Sequence, residues 1–335
     1  MKKFIYYSVI LLVVTTVCIS SPIDVFAAKY NIRAATVLVE DSPAGKALYM
    51  FKDIVESQTW GDISVEVFPN GKLGPERENI EATQLNNIQL CIPSVGVLAN
   101  FAKEMRVLNI PFALTDRSVA KKVLLEDPIR HRLLAPLEKV GLIGLSFGDY
   151  GMRNLTSKKE IKNLADLKNF KVRTMKVPDH LALWDALGAS PTPVAFTELY
   201  GALQQGVVEG QENPWETIFL SKFYEVQKFV TITGHIYDLQ PMVMSKRFFD
   251  SLPDDYKETI RNAADLVTIY MWYLTDVQDS MFKEKCLDQG MKVNTFSKED
   301  LAKSQELTKP LIEEIRKSVG NELVDAYLEA IKKYQ

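Results

Sequence analysis

The residues with chemistry to offer are Arg153, Arg173 and Asn213. Arg173 lies inside a strand-like run, Phe170-Lys171-Val172-Arg173-Thr174-Met175. Alternate side chains of a strand face opposite ways, so Val172 and Thr174 share one face and Arg173 takes the other. Its guanidinium is planar, permanently charged and shaped to hold a carboxylate through two parallel hydrogen bonds. The anion is a ligand's or an internal Asp or Glu, unless the strand face is simply solvated. Arg153 follows Asp149-Tyr150-Gly151, where Gly148 and Gly151 permit a tight backbone. Asn213 precedes Pro214, which biases it to an extended conformation. Its amide can donate to one ligand oxygen and accept from a hydroxyl. Taken singly, a loop Arg is ordinarily solvated and an Asn before Pro is ordinarily a turn residue.

Four aromatic residues, Phe147, Tyr150, Trp215 and Tyr237, flank the same predicted junctions. Ligand pockets are mostly apolar and aromatic, although aromatics at strand ends equally fill a core. Glu76, at the start of a predicted helix after Gly74-Pro75, is counted with them as a ligand-binding residue. Catalytic signals are thin: the chain has no Gly-x-Ser-x-Gly elbow, phosphate loop or Gly-x-Gly-x-x-Gly turn. Glu209 and Glu212 could do acid/base work or hold a cation. His131, His180 and His235 are isolated from one another in sequence, and no Cys/His metal spacing exists. Neither a metal site nor a cofactor is expected.

The elements that position these residues follow an α/β pattern. Strand 30–36, helix 45–57, strand 63–68, a Pro69-Asn70-Gly71 turn, a helix from Glu76 to about 87 and a strand from Leu90 read β-α-β-α-β, which implies a parallel sheet. Helices at 117–125 and 129–140 precede a strand at 142–147 and a turn at 148–151. The pattern then restarts: strand 171–175, helix 178–187, extended 191–194, and a helix 198–205 with Thr197 as N-cap and Gly206 beyond its end. A second lobe is implied. In the last third, Tyr256, Ile260, Ala263, Val267, Tyr270, Leu274, Val277 and Met281 form one helical stripe. A helix over 254–287 is on the order of 50 Å long, long enough to span two lobes. A break near Thr275-Asp276 would make two helices of it.

The N-terminus reads as an export leader. Lys2 and Lys3 precede a short apolar run at 9–17, and Val25-Phe26-Ala27 offers small residues at −3 and −1 of a cleavage site. The run is shorter than the ~20 residues that cross a bilayer. Localisation in the periplasm follows, with cleavage near Ala27. Removing this leader of net +1 from a chain of net −3 leaves −4, which gives no reason to expect nucleic acid or an anionic membrane as partner. Cys91 and Cys286 are far apart in sequence and read as free thiols.

Several segments together resemble one family. They are Pro69-Asn70-Gly71-Lys72-Leu73-Gly74, Ile110-Pro111-Phe112, Gly151-Met152-Arg153, the run from Asp166 to Arg173, Gly188-Ala189-Ser190-Pro191, and Glu198 to Pro214, which reads ELYGALQQGVVEGQENP. In order and over the whole exported chain, they are similar to the DctP-type solute-binding subunit of TRAP transporters. Glu209 stands where that family usually has Asp. The resemblance implies a two-lobed α/β fold like that of periplasmic binding proteins, with a ligand cleft between the lobes and a long bridging C-terminal helix. The lobes are expected at 28–150 plus 239–278, and at 151–238 plus 279–335, after a signal peptide at 1–27. It implies capture of a small organic acid by cleft closure and delivery to membrane permease subunits, without catalysis, by a protein expected to be a monomer. It makes Arg173 the carboxylate clamp, Arg153 its assistant and Asn213 the residue that completes it. A secreted hydrolase or lyase on a similar fold, and a ligand-sensing subunit for a membrane signalling kinase, are the alternatives.

Overall fold

The computed structural model describes residues 28–335, so the expected signal peptide at 1–27 lies outside the described residues. The first unit runs β1 (Tyr30–Ala35), α1 (Pro43–Gln58), β2 (Ile63–Phe68), α2 (Glu76–Gln84), β3 (Leu90–Cys91), α3 (Val95–Leu98), α4 (Arg117–Lys121), α5 (Ile129–Leu134) and β4 (Leu142–Met152). The second runs β5 (Asn154–Ser157), β6 (Val172–Thr174), α6 (Pro178–Ala186), β7 (Thr192–Pro193), α7 (Leu199–Gln205), β8 (Gly210–Asn213), α8 (Trp215–Leu220) and β9 (Phe229–Ile232). The chain ends with β10 (Tyr237–Ser245), α9 (Lys246–Asp250), α10 (Asp254–Asp288), β11 (Lys292–Thr295), α11 (Lys298–Val319) and α12 (Asn321–Tyr334).

Two sheets result, in the orders β2-β1-β3-β10-β4 and β11-β9-β5-β8-β6-β7. The opening β-α-β-α-β gives the expected parallel pairs β1–β2 and β1–β3. β10 enters antiparallel to both β3 and β4, because it returns from the second sheet to complete the first. Each sheet buries apolar residues on both faces. On the first, one face packs Ile32, Leu48, Phe51 and Val267 beneath α1 and α10. The other packs Leu98, Met105, Leu133 and Tyr327 beneath α3, α5 and α12. On the second sheet, Leu183 and Trp184 of α6 cover one face, while Leu203 and Ile218 of α7 and α8 cover the other.

Four connections tie the lobes: β4 into β5 at Arg153, β9 into β10 across 233–236, α10, and α11, which runs from Leu311 in the second lobe's core to Ile315 in the first lobe's. The α10 helix is continuous for 35 residues, without a break at Thr275-Asp276. Its first half packs on α1 and β4, its second on α8. Ile260, Ala263, Val267 and Leu274 of the expected stripe are buried, but Val277 is 50% exposed. The helix leaves one lobe for the other at that point, and Thr275, Phe282 and Cys286 take over the buried face.

Several other expectations need correction. β4 does not stop at Phe147: pairing with β10 carries it through Met152, past a left-handed Gly151 (φ 99°). Thr197 is not a helix N-cap; it lies in a tight turn before α7 and contacts Gly71 of the opposite lobe. The grouping of 279–335 with the second lobe does not describe α12, whose Leu323, Val324, Tyr327 and Ile331 bury their side chains in the first lobe's core. β11, by contrast, pairs with β9 in the second sheet. Cys91 and Cys286 are both free and buried.

Close strand packing sets a test of the second sheet. A Cβ on Gly210 would lie 2.2 Å from the Thr156 carbonyl oxygen across the β5–β8 pair. Backbone cannot yield there as a flexible side chain does. Gly210→Ala is expected to cost about 2–3 kcal/mol, read as a fall of several degrees in Tm by calorimetry.

Candidate functional site

The lobes enclose a cleft of about 200 Å³. The first lobe contributes Pro75, Glu76, Val97 and Asn100; the second contributes Arg173, Met175, Val194 and Phe196. Across its margins the lobes touch directly. Arg106 Nη2 pairs with Asp179 Oδ1 at 2.6 Å, Asn100 Nδ2 donates to the Lys176 carbonyl at 3.1 Å, and Gly71 sits so close that a Cβ would lie 2.7 Å from Thr197 Cγ2.

Arg173 is positioned by β6, whose neighbours β8 and β7 run parallel to it. The side chain is 1% exposed. Its Nε donates to the Val194 carbonyl at 2.9 Å, while Nη1 is buried with no partner in the protein. No carboxylate lies within ion-pair distance of it among the described residues. Burial pushes its pKa down to about 10, against the partly compensating field of Glu212. The guanidinium therefore stays charged at neutral pH while lacking a direct counter-ion. Such a charge is costly unless something pairs with it.

Arg153 is buried too, but its donors are committed. Nε and Nη2 bind the Glu212 carboxylate, Nη2 also donates to the Glu212 carbonyl at 2.5 Å, and Nη1 donates to Asp238 Oδ2 at 2.5 Å. Only one N–H of Nη1 remains. Glu212 also meets His235 Nε2 at 3.0 Å, with His180 Nδ1 at 4.0 Å. Burial opposes the Glu212 charge, but Arg153 and the two histidines outweigh it and hold its pKa well below the usual carboxylate value. Burial likewise lowers the His235 pKa, so its ring is neutral at pH 7. Two histidines isolated in sequence thus share one carboxylate in space.

Asn213 lies on β8 opposite Asn154. Its Nδ2 donates to Gln211 Oε1, and its Oδ1 accepts from the Tyr150 hydroxyl at 3.5 Å. That hydroxyl is itself 2.7 Å from Thr217 Oγ1. Glu76, at the start of α2, faces Arg173 across the cleft. Its Oε1 accepts from Ser94 N at 2.9 Å, and Ser94 Oγ donates to Asp238 at 3.1 Å. Burial raises the Glu76 pKa, and Asp238 adds to the rise.

The expected site residues therefore separate. Arg173 and Glu76 line the cleft, whereas Arg153 and Asn213 belong to the polar network behind it. Phe147, Tyr237 and Trp215 do not line it. Phe147 is in the first lobe's core, where its carbonyl accepts from Trp272 Nε1. Tyr237 stacks on Trp272 and donates to Asp149 Oδ1 at 2.6 Å. Trp215 packs against the second lobe's core. β4 and β10 run on into the junction as paired strands, so their aromatics face the cores. Nor do Glu209 and Glu212 form a carboxylate pair: Glu209 is a surface residue bonded to Lys171 N and Lys159. Phe196 and the Val194 carbonyl were not anticipated, because the short extended run before α7 carries no signal of facing a cleft.

Two α/β lobes joined by four crossings, with an uncompensated cation at a cleft between them, define a bilobal solute-binding protein. The sequence pattern of the bacterial extracellular solute-binding proteins of family 7, DctP, matches residues 34–318, and the chain belongs to that family. It is 39% identical over 239 residues to a solute-binding protein of Verminephrobacter eiseniae, covering 71% of each chain. It is 29% identical to the C4-dicarboxylate-binding periplasmic protein DctP of Rhodobacter capsulatus, covering 93% of this chain and 94% of the relative. Among solved structures, the sugar acid binding protein DctPAm of Advenella mimigardefordensis in complex with galactonate superposes with a TM-score of 0.88 at 34% identity, covering 91% of this chain and 98% of that one. A TRAP periplasmic solute-binding protein of Shewanella oneidensis with bound succinate gives 0.86 at 28% identity, covering 90% and 99%. None of these relatives carries a sensory description, and the sensing-subunit alternative is not supported.

The buried acids at the lobe junction predict a pH dependence. Burial raises Asp149 to about 7 and Glu216 to about 8, the latter helped by Asp149. An acid with a raised pKa holds its proton more tightly folded than unfolded, so it weakens the fold as pH rises through that window. His235, with its lowered pKa, acts in the opposite sense only below its ordinary value near 6.5. Tm is therefore expected to rise as pH falls from about 8 to 6.5, and the Asp149→Asn/Glu216→Gln double variant should flatten that slope in a calorimetric series.

Proposed function

We propose that this protein captures a small organic acid outside the cytoplasm and delivers it to TRAP-type membrane permease subunits. The ligand carboxylate is held by Arg173, whose buried, unpartnered Nη1 is the observation that carries the reading. Glu76 lies opposite and can accept a hydroxyl from the ligand. Arg153 and Asn213 shape the site, with Arg153 held in place by Glu212 and Asp238. The protein binds without turnover and acts as a monomer, exported by cleavage near Ala27. At about 200 Å³ the cleft falls below the ~300–1,000 Å³ of drug-sized sites, which favours a compact acid. Galactonate and succinate, bound by the structural relatives, both carry a carboxylate.

Binding and closure are one equilibrium. In an open form Arg173 meets water; as the lobes close, water leaves and its attraction for a carboxylate strengthens. A ligand touching both lobes favours the closed form and shifts the population toward it. The hydrolase or lyase alternative predicts loss of the bound acid on incubation, whereas recovery of the acid unchanged supports binding alone.

The ligand is found by a thermal-shift screen over aldonates, uronates, C4-dicarboxylates and keto acids, since binding raises Tm by mass action. With the best of these, Arg173→Lys should weaken binding by at least roughly tenfold, about 1.4 kcal/mol, because an ammonium loses the two-pronged geometry. Wild-type affinity in calorimetry of that variant would remove Arg173 from the carboxylate role.

A further inference from the structure

Arg117 is the first residue of α4, in the first lobe, and it has no part in lining the cleft. Its guanidinium nevertheless touches the structure where the lobes join. Nε donates to Asp149 Oδ2 of β4 at 3.0 Å. Nη1 lies 3.4 Å from Asp276 Oδ1 and Nη2 lies 3.7 Å from Asp279 Oδ1, both on α10 where the helix passes from one lobe to the other. Asp149 Oδ1 accepts from the Tyr237 hydroxyl at 2.6 Å, at the first residue of β10, and its carbonyl accepts from Thr275 Oγ1 at 3.4 Å. Three of the four interlobe connections therefore meet at one cation.

The surroundings leave that cation without a substitute. Asp149 is fully buried, and Asp279 of α10 brings further negative charge beside it. The fields of Lys46 of α1 and Lys283 of α10 also reach this cluster. Among the described residues, only Arg117 is in ion-pair contact with Asp149. Gly151, at the end of β4, is packed so that a Cβ would lie 3.5 Å from Arg117 Nη2, 3.7 Å from Thr275 Cγ2 and 3.8 Å from Pro214 Cβ. The guanidinium is thus wedged between the strand crossing and the helix crossing. Without it, Asp149 loses its cation, and Asp276 and Asp279 lose the guanidinium that ties α10 to β4 at the crossing.

We propose that Arg117 is a positioning residue that sets the resting angle between the lobes by clamping β4, β10 and α10 together. Its effect reaches the ligand indirectly. A protein whose binding-competent form is a smaller fraction of the population binds proportionately more weakly. This consequence rests on the carboxylate-capture reading above; the clamp itself does not.

Small-angle X-ray scattering of the full exported chain without added ligand tests the clamp independently of Arg173 and of any ligand's identity. Arg117→Ala is expected to increase the radius of gyration, and Arg117→Lys, which keeps a charge for Asp149, is expected to restore part of the difference. Arg130→Ala is the control: it removes the 2.6 Å Arg130–Asp265 pair, which ties α5 to α10 within the first lobe alone, and should leave the scattering unchanged. If Arg117→Ala does not fold, Asp276→Asn/Asp279→Asn releases α10 from the same guanidinium and should shift the curve in the same direction. Scattering indistinguishable from wild type in the folded variants overturns the proposal. An expanded Arg117→Ala that Lys does not rescue at all would equally overturn it, by pointing to general loosening instead of a charge clamp.

Discussion

One buried charge organises this molecule. The Arg173 guanidinium is carried into the interlobe space by β6, next to the edge of the second sheet, donates one hydrogen bond to a backbone carbonyl, and has no carboxylate partner among the described residues. A buried charge without a counter-ion is a liability in a protein that only has to fold. On the reading proposed above, in a protein whose work is to bind an anion, it couples binding to closure. On that reading, a carboxylate that enters supplies the interaction this charge lacks in the ligand-free state.

The neighbouring charges explain why Arg173 and not Arg153 is left open. All but one of the Arg153 N–H groups are taken by Glu212 and Asp238, and Glu212 is in turn braced by His235. That network satisfies its own charges, so it can be buried rigidly beneath the cleft. It also raises the negative potential near Arg173 enough to moderate, but not to cancel, the effect of burial. At the junction, the Arg117–Asp149 pair applies the same logic to the crossings: a buried acid is tolerable where a cation and the Tyr237 hydroxyl reach it.

Much of this was legible in the sequence because it is local. The alternation around Arg173 gives its strand, the restart of the α/β pattern gives the second lobe, and the stripe on 254–287 gives the long helix. The missed features are those that depend on pairing between distant segments. The end of β4 is set by β10, about ninety positions further on, and no local signal at Gly148 or Gly151 reveals it. The partners of Arg153 come from β8 and β10, so the guanidinium looks free in sequence and is not. α12 carries an apolar face that fits either lobe, and only the packing of Tyr327 and Val324 decides for the first. The aromatics Phe147, Trp215 and Tyr237 failed as cleft residues for the same reason: strand ends near a junction face the core as readily as a pocket.

The central claim is that Arg173 Nη1 is reserved for a ligand's carboxylate. A crystal structure of the protein with its tightest-binding acid tests this most directly. The account predicts the carboxylate paired to the Arg173 guanidinium between the two lobes, with Nε still on the Val194 carbonyl and the Arg153–Glu212–Asp238 network intact. A ligand whose carboxylate lies elsewhere, with Arg173 Nη1 bonded only to protein or to water, would contradict it.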